Sequence, residues 1–195
     1  MIKLIAEVGW NHMGDMNLAK DMIVEAVNSG ADIVKFQTWS EKNLKHGPWD
    51  NDGRREIYKK AELSFDDHIF LKNECEKNGV EFLTSIFCKK DLSIIEKLNL
   101  KTIKIPSHEI YNLLLIKELN KKFEKILLSA GACAWQEIEE AVRIIDEDKL
   151  GLMHCVSAYP CPEENINFSK LKKLKKLSKK IGYSGHYKGV EDAII

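Results

Sequence analysis

One stretch, Lys3–Thr38, limits what this chain can fold into more than any other. Lys3–Gly9 is a short apolar run, Asn11–Asp15 is turn chemistry, and Met16–Ser29 has helical spacing with Leu18, Met22, Ile23 and Val27 on one face. Gly30 stands where a left-handed helix stop belongs, and Ala31–Thr38 reads as a second strand. Strand, helix and strand in this order make a βαβ unit, so the two strands are expected to be parallel, with a right-handed crossover. A parallel strand is usually covered on both faces and nearly all apolar. Lys35 interrupts the second strand and Glu7 the first, both toward the C-terminal end, where parallel α/β folds place their ligands.

The rest of the chain repeats the plan. Trp39–Ala61 has no clear period and carries two turn signals, Gly47-Pro48 and Asn51-Asp52-Gly53; Trp39, Trp49 and Tyr58 give it the apolar weight of an ordered lid. Ser64 opens a helix with Asp67 as capping-box partner, and Gly79 stops it. Strands are then expected at Val80–Phe87, Thr102–Ser107, Lys125–Ala130, Leu150–Cys155 and Ile181–Ser184. Helices are expected at Asp91–Leu98, Tyr111–Lys121, Trp135–Ile145, Ser169–Lys180 and, as a first turn, Glu191–Ile195. Seven strand–helix steps mean α/β with a parallel sheet. Polar residues recur at every strand's C-terminal end, which favours a (β/α)8 TIM-type barrel over an open sheet with its single switch point. Such a barrel takes about 250 residues; with 195 the chain is expected to be a single barrel domain, residues 1–195, cut short of its eighth step.

Composition removes other classes. Lys+Arg and Asp+Glu are both 30, so no net field points to nucleic acid. Seven Lys in Ser169–Lys180 read as the solvated face of a surface helix. No apolar run is long enough to span a membrane, and the start lacks a signal-peptide pattern. Five Cys without ligand spacing suit reduced thiols and a cytoplasmic setting.

The strand ends together offer Glu7, Lys35, Gln37, Thr84, Ser85, Lys104, Ser107, Glu109, Ser129, His154, Ser157, Tyr159, Ser184 and His186. Two Lys and a set of hydroxyls suit a phosphate: Lys supplies charge, and Ser and Thr add hydrogen bonds at several angles. His154 reads equally well as a satisfied core histidine. His186, just past its strand, is the better ligand or acid–base candidate.

The motifs IAEVGWNHMGD, GADIVKFQT, FLTSIF, IKIPSHE, ILLSAG, HCVSAYPCP and GYSGH, in this order, resemble the sialic acid (N-acetylneuraminate) synthase family over nearly the whole chain. The resemblance implies condensation of phosphoenolpyruvate with an N-acylated hexosamine, such as N-acetylmannosamine, to a nonulosonic acid with release of phosphate. It also implies a divalent metal, Mn2+ or Mg2+, and a homodimer in the full-length form. It gives Lys35, Ser85, Lys104, Ser107, Ser129, Ser157 and Ser184 to phosphoenolpyruvate. Glu7, Gln37, Glu109 and Tyr159 match sugar-holding positions, with Glu7 near the reacting centre. His186 matches the first of two metal-binding histidines, and His154 a family histidine that is not a ligand. Two residues depart from the family, Gly185 in Ser184-Gly185-His186 where Ser-Asp-His is usual and Pro106 in place of a Gly, and the 195 residues are expected to stop short of the eighth strand and of the antifreeze-like C-terminal domain. By itself the chain is therefore expected to be inactive. A Schiff-base aldolase using Lys35 or Lys104, or a non-catalytic phosphoenolpyruvate-binding remnant, are the alternatives.

Overall fold

The computed structural model describes residues 2–194. It comprises two compact units, with the division between Leu100 and Lys101. The first has three parallel strands in chain order, β1 (Ile5–Gly9), β2 (Ile33–Thr38) and β3 (Glu81–Ile86). Its helices are α1 (Met16–Asn28), α2 (Arg54–Lys60), α3 (Phe65–Lys77) and α4 (Leu92–Glu96). The second has four parallel strands in chain order, β4 (Thr102–Ile105), β5 (Lys125–Ser129), β6 (Leu150–Cys155) and β7 (Lys180–Ser184). Its helices are α5 (Leu113–Lys122), α6 (Trp135–Val142), α7 (Ser169–Leu174) and α8 (Glu191–Ile194). The class is α/β, with the seven β/α steps of an incomplete (β/α)8 barrel. Among the described residues, no helix is long and apolar enough to cross a membrane.

The local signals act as their chemistry requires. Asp15 caps α1 by accepting from the backbone N–H of Asn17 and Leu18 at 2.9 and 3.1 Å. Ser64 and Asp67 form a full capping box at α3. Gly30 and Gly79 follow their helices at φ +86° and +75°. The helix-side face of β2 and β3 carries Val34, Phe36 and Phe82, packed with Ala19 and Ile23 of α1 and with Leu71 and Cys75 of α3. In the second unit the corresponding face is Ile103, Ile105, Ile126, Leu128, Leu150 and Leu152, all essentially buried. Strand alternation leaves the other face of each sheet for Lys35 and Lys104.

Three expectations change. The stretch after β2 contains a helix, α2, where no period was visible. Arg55 anchors it, donating to Glu41 Oε1 at 2.5 Å and to Asp50 Oδ1 at 2.6 Å. Trp39 is buried against Tyr58 and Phe87, with its indole N–H donated to the Tyr58 carbonyl at 3.0 Å. Leu18 is 39% exposed, and Ala19 with Ile23 forms the buried stripe of α1. Helix α7 ends at Leu174, six residues before Lys180. Its leucines recur every third residue, so they drift around a 3.6-residue helix, and Leu174 alone is fully buried.

Candidate active site

In the first unit Glu7 and Lys35 are register partners on β1 and β2, and Gln37 partners Ser85 of β3. Lys35 and Ser85 are each 2% exposed. The Lys35 ammonium makes a close ion pair with Glu7 Oε2. The pairing slips between Glu7 and Gly9, a bulge that redirects the strand end. Gly9 adopts φ +58°, and a Cβ there would lie 3.3 Å from Glu7 Oε1 and 3.7 Å from the Gln37 amide.

Thr84 does not join this set. It shares the helix-side face with Thr38, and the two hydroxyls lie 2.7 Å apart. Thr38 is also 2.7 Å from His68 Nε2, while His68 Nδ1 lies 2.7 Å from the Ser64 carbonyl. A carbonyl only accepts, so Nδ1 carries the proton, Thr38 donates to Nε2, and Thr84 donates to Thr38. Burial lowers the pKa of His68, keeping the ring neutral in that role.

In the second unit Lys104, Ser129 and Ser184 lie on one face by strand register. Lys104 is 8% exposed, and the Ser129 hydroxyl is buried with no hydrogen-bond partner. Ser107, just past β4, accepts from the Gly131 backbone N–H at 2.9 Å and lies 3.1 Å from Cys155 Sγ. Glu109 is buried and accepts from the Asn112 amide at 2.9 Å. A Cβ at Gly131 would lie 2.7 Å from both Ser107 Oγ and Ser157 Oγ and 2.6 Å from Cys155 Sγ. Gly131 and Cys155 are thus part of the set although sequence reasoning did not single them out. The one signal was a glycine directly after the strand-end Ser129-Ala130. Gly131→Ala is expected to push the two serines apart and weaken phosphoenolpyruvate binding by about 1–3 kcal/mol, the usual cost of overpacking. Calorimetric titration of the variant, with circular dichroism to verify folding, checks this.

His186 Nδ1 lies 2.5 Å from the Val156 carbonyl, so it carries the proton and leaves Nε2 as the free lone pair. The His186 ring lies 4.2 Å, centroid to centroid, from Tyr159, which is 74% exposed. His154 sits on the opposite, helix-side face, 2.7 Å from the Ile166 carbonyl and beside Tyr183.

The resemblance implies a divalent ion, for which His186 is the ligand candidate among the described residues. Among the described residues, no group of three or more His, Cys, Asp or Glu is placed to hold a metal. One imidazole is a poor site for a divalent ion without further ligands. An acid beside His186, usual in the family, would require the Asp192 carboxylate to move. A Cβ at Gly185 would run into Asp192 Oδ2, which accepts from the Tyr183 hydroxyl at 2.9 Å. Burial and the neighbouring Asp192 push the Tyr183 phenol above its ordinary range.

The comparisons agree with this arrangement of elements. The chain is 36% identical to N,N'-diacetyllegionaminic acid synthase of Campylobacter jejuni, over 96% of its own length and 61% of that protein. It is 33% identical to pseudaminic acid synthase of Helicobacter pylori, over 94% and 58%. It therefore spans about three-fifths of the curated relatives it matches. The crystal structure of N-acetylneuraminic acid (sialic acid) synthetase from Leptospira borgpetersenii, in complex with citrate, superposes with a TM-score of 0.90 at 34% identity. That superposition covers 98% of this chain and 67% of the other. The NeuB family pattern matches residues 22–195, and with these relatives it shows that the chain belongs to the NeuB family.

Proposed function

We propose that this chain carries the phosphoenolpyruvate-binding and sugar-facing residues of a nonulosonic acid synthase, which condenses phosphoenolpyruvate with an N-acylated hexosamine and releases phosphate. The observation that carries this reading is the same in each unit: a lysine almost fully buried within an apolar strand, followed by strand-end hydroxyls. A buried ammonium is costly unless an anion meets it; Glu7 meets Lys35 in the structure, and a substrate anion would take that place.

Lys35 in the first unit and Lys104 in the second are the charges offered to the anionic groups of phosphoenolpyruvate. Ser85, Ser107, Ser129, Ser157 and Ser184 orient them, and the unpartnered Ser129 hydroxyl is a donor held ready. Gln37, Glu109 and Tyr159 hold the sugar. Glu7, close to the sugar aldehyde, exchanges a proton as C3 of phosphoenolpyruvate attacks. Water then adds at C2 and phosphate leaves. A manganese or magnesium ion would take His186 Nε2 as one ligand and would need the others from outside the described residues.

The competing chemistry is a lysine Schiff base, which also needs a lysine inside a strand. Pyruvate and borohydride are expected to leave no covalent adduct on the chain, and phosphoenolpyruvate with N-acetylmannosamine and manganese to release no phosphate from the chain alone. Mass spectrometry and a phosphate assay check both. An adduct on Lys35 or Lys104 would establish the aldolase. Steady metal-dependent phosphate release would mean that the missing ligands are supplied after all.

A further inference from the structure

We propose that Glu7 is a displaceable counter-ion of Lys35, which binding of an oxyanion expels and thereby frees to act on the second substrate. The proposal rests on the reading of Lys35 as an anion-binding residue. Three observations carry it. The Lys35 ammonium and the Glu7 carboxylate are in direct ionic contact, on register-paired positions of β1 and β2. The two side chains differ sharply in exposure: Lys35 is 3% exposed and Glu7 is 45% exposed. The bulge at Gly9, with no Cβ against Glu7 Oε1, leaves the carboxylate room beside the Gln37 amide.

The asymmetry decides which partner moves. Lys35 is enclosed in the sheet and cannot leave without carrying its charge through apolar surroundings. Glu7 is already half in water and loses little by turning outward. While it stays, an arriving phosphate meets a pair with no net charge and must compete for the same ammonium. Once the phosphate has taken Lys35, the released carboxylate lies at the end of β1, unpaired from Lys35 and close to Gln37. From there it is free to accept a proton or a hydrogen bond from a neutral polyol. The anion is thus expected to bind first and to switch on the residue that meets the sugar. Glu7 therefore acts on both substrates, whereas its strand position alone suggests only the sugar.

The test uses the 195-residue chain with phosphoenolpyruvate and, separately, inorganic phosphate as probes, measured by calorimetry. Glu7→Gln keeps the shape and removes the charge, so both anions are expected to bind about tenfold more tightly, as removing one competing charge near a protein surface allows. Lys35→Ala is expected to abolish the gain in the double variant. Glu7→Ala, which also removes the charge, should tighten binding in the same direction and serves if Glu7→Gln does not fold. Anion binding that requires Lys35 but is indifferent to both Glu7 variants would overturn this inference and leave the proposed function standing. Absence of anion binding in every variant would overturn both.

Discussion

Lys35→Ala and Lys104→Ala are each expected to weaken phosphoenolpyruvate binding by about 2–5 kcal/mol, the range found when one partner of a buried charge-assisted contact is truncated. That is a loss of about 30-fold or more. Ser129→Ala should cost less, about 1.5 kcal/mol, because a hydroxyl brings a dipole and not a charge. The ranking follows from burial. Lys35 and Lys104 are 2% and 8% exposed, so water can replace neither the anion they lose nor the charge they carry. Ser129 already stands without a partner, and its removal also relieves an unsatisfied hydroxyl. Unchanged affinity in both lysine variants, measured by calorimetry on folded protein, would contradict the assignment.

The second large effect concerns stability and pH. Burial is the leading cause that lowers the pKa of His12, His68 and His154 below the ordinary value of 6.5. A base with a lowered folded pKa binds fewer protons folded than unfolded, so acid favours unfolding. The stability held by these neutral rings is complete above about pH 6.5 and is lost as pH falls below it. Each ring contributes at most about 1.4 kcal/mol per pH unit, and the three together about 4. The geometry gives the same direction. His12 Nδ1 accepts from the Gly14 backbone N–H at 3.1 Å, and His68 Nε2 accepts from Thr38. Protonation would set donor against donor at His12, and at His68 it would make the Thr38 and Thr84 hydroxyls reverse their donation. At His154 it would create a buried N–H at Nδ1, which has no partner. Urea unfolding between pH 5 and 8 should show a plateau above pH 7 and a steep decline below 6.5, and His68→Gln should flatten the slope by about a third. A flat profile from pH 5 to 7 would show that the rings titrate normally. Asp50, held down to about 2 by the Gly47 N–H and Arg55, affects only a much more acidic window, where stability falls as that carboxylate protonates.

The strands were legible because each is a short apolar run closed by turn chemistry. Leu150–Cys155 has the same bounds in sequence and structure. Helix α3 was equally clear, since Ser64, Asp67 and Gly79 state its start and stop locally. Helix α2 was not. Its residues RREIYKK show no apolar period, and it is tied down by Arg55 reaching Glu41 and Asp50. The buried lysines were found by the cost of a charge inside a strand. The side on which each strand-end residue falls needed register as well. Thr84 and Ser85 are neighbours, and only Ser85 shares the face of Lys35. Alternation separates the two, and register with β2 shows which of them faces Lys35. The convergence of Ser107, Cys155 and Ser157 on Gly131 depends on three loops brought together by folding, and no spacing announces it.

The claim that the strand ends bind phosphoenolpyruvate without a completed metal site is tested most directly by titrating phosphoenolpyruvate into the 195-residue chain by calorimetry, once in excess chelator and once with manganese. The expected result is binding in chelator, little changed by manganese and about 30-fold or more weaker in Lys35→Ala and Lys104→Ala. Absence of binding in chelator, or binding that appears only with manganese, would contradict it.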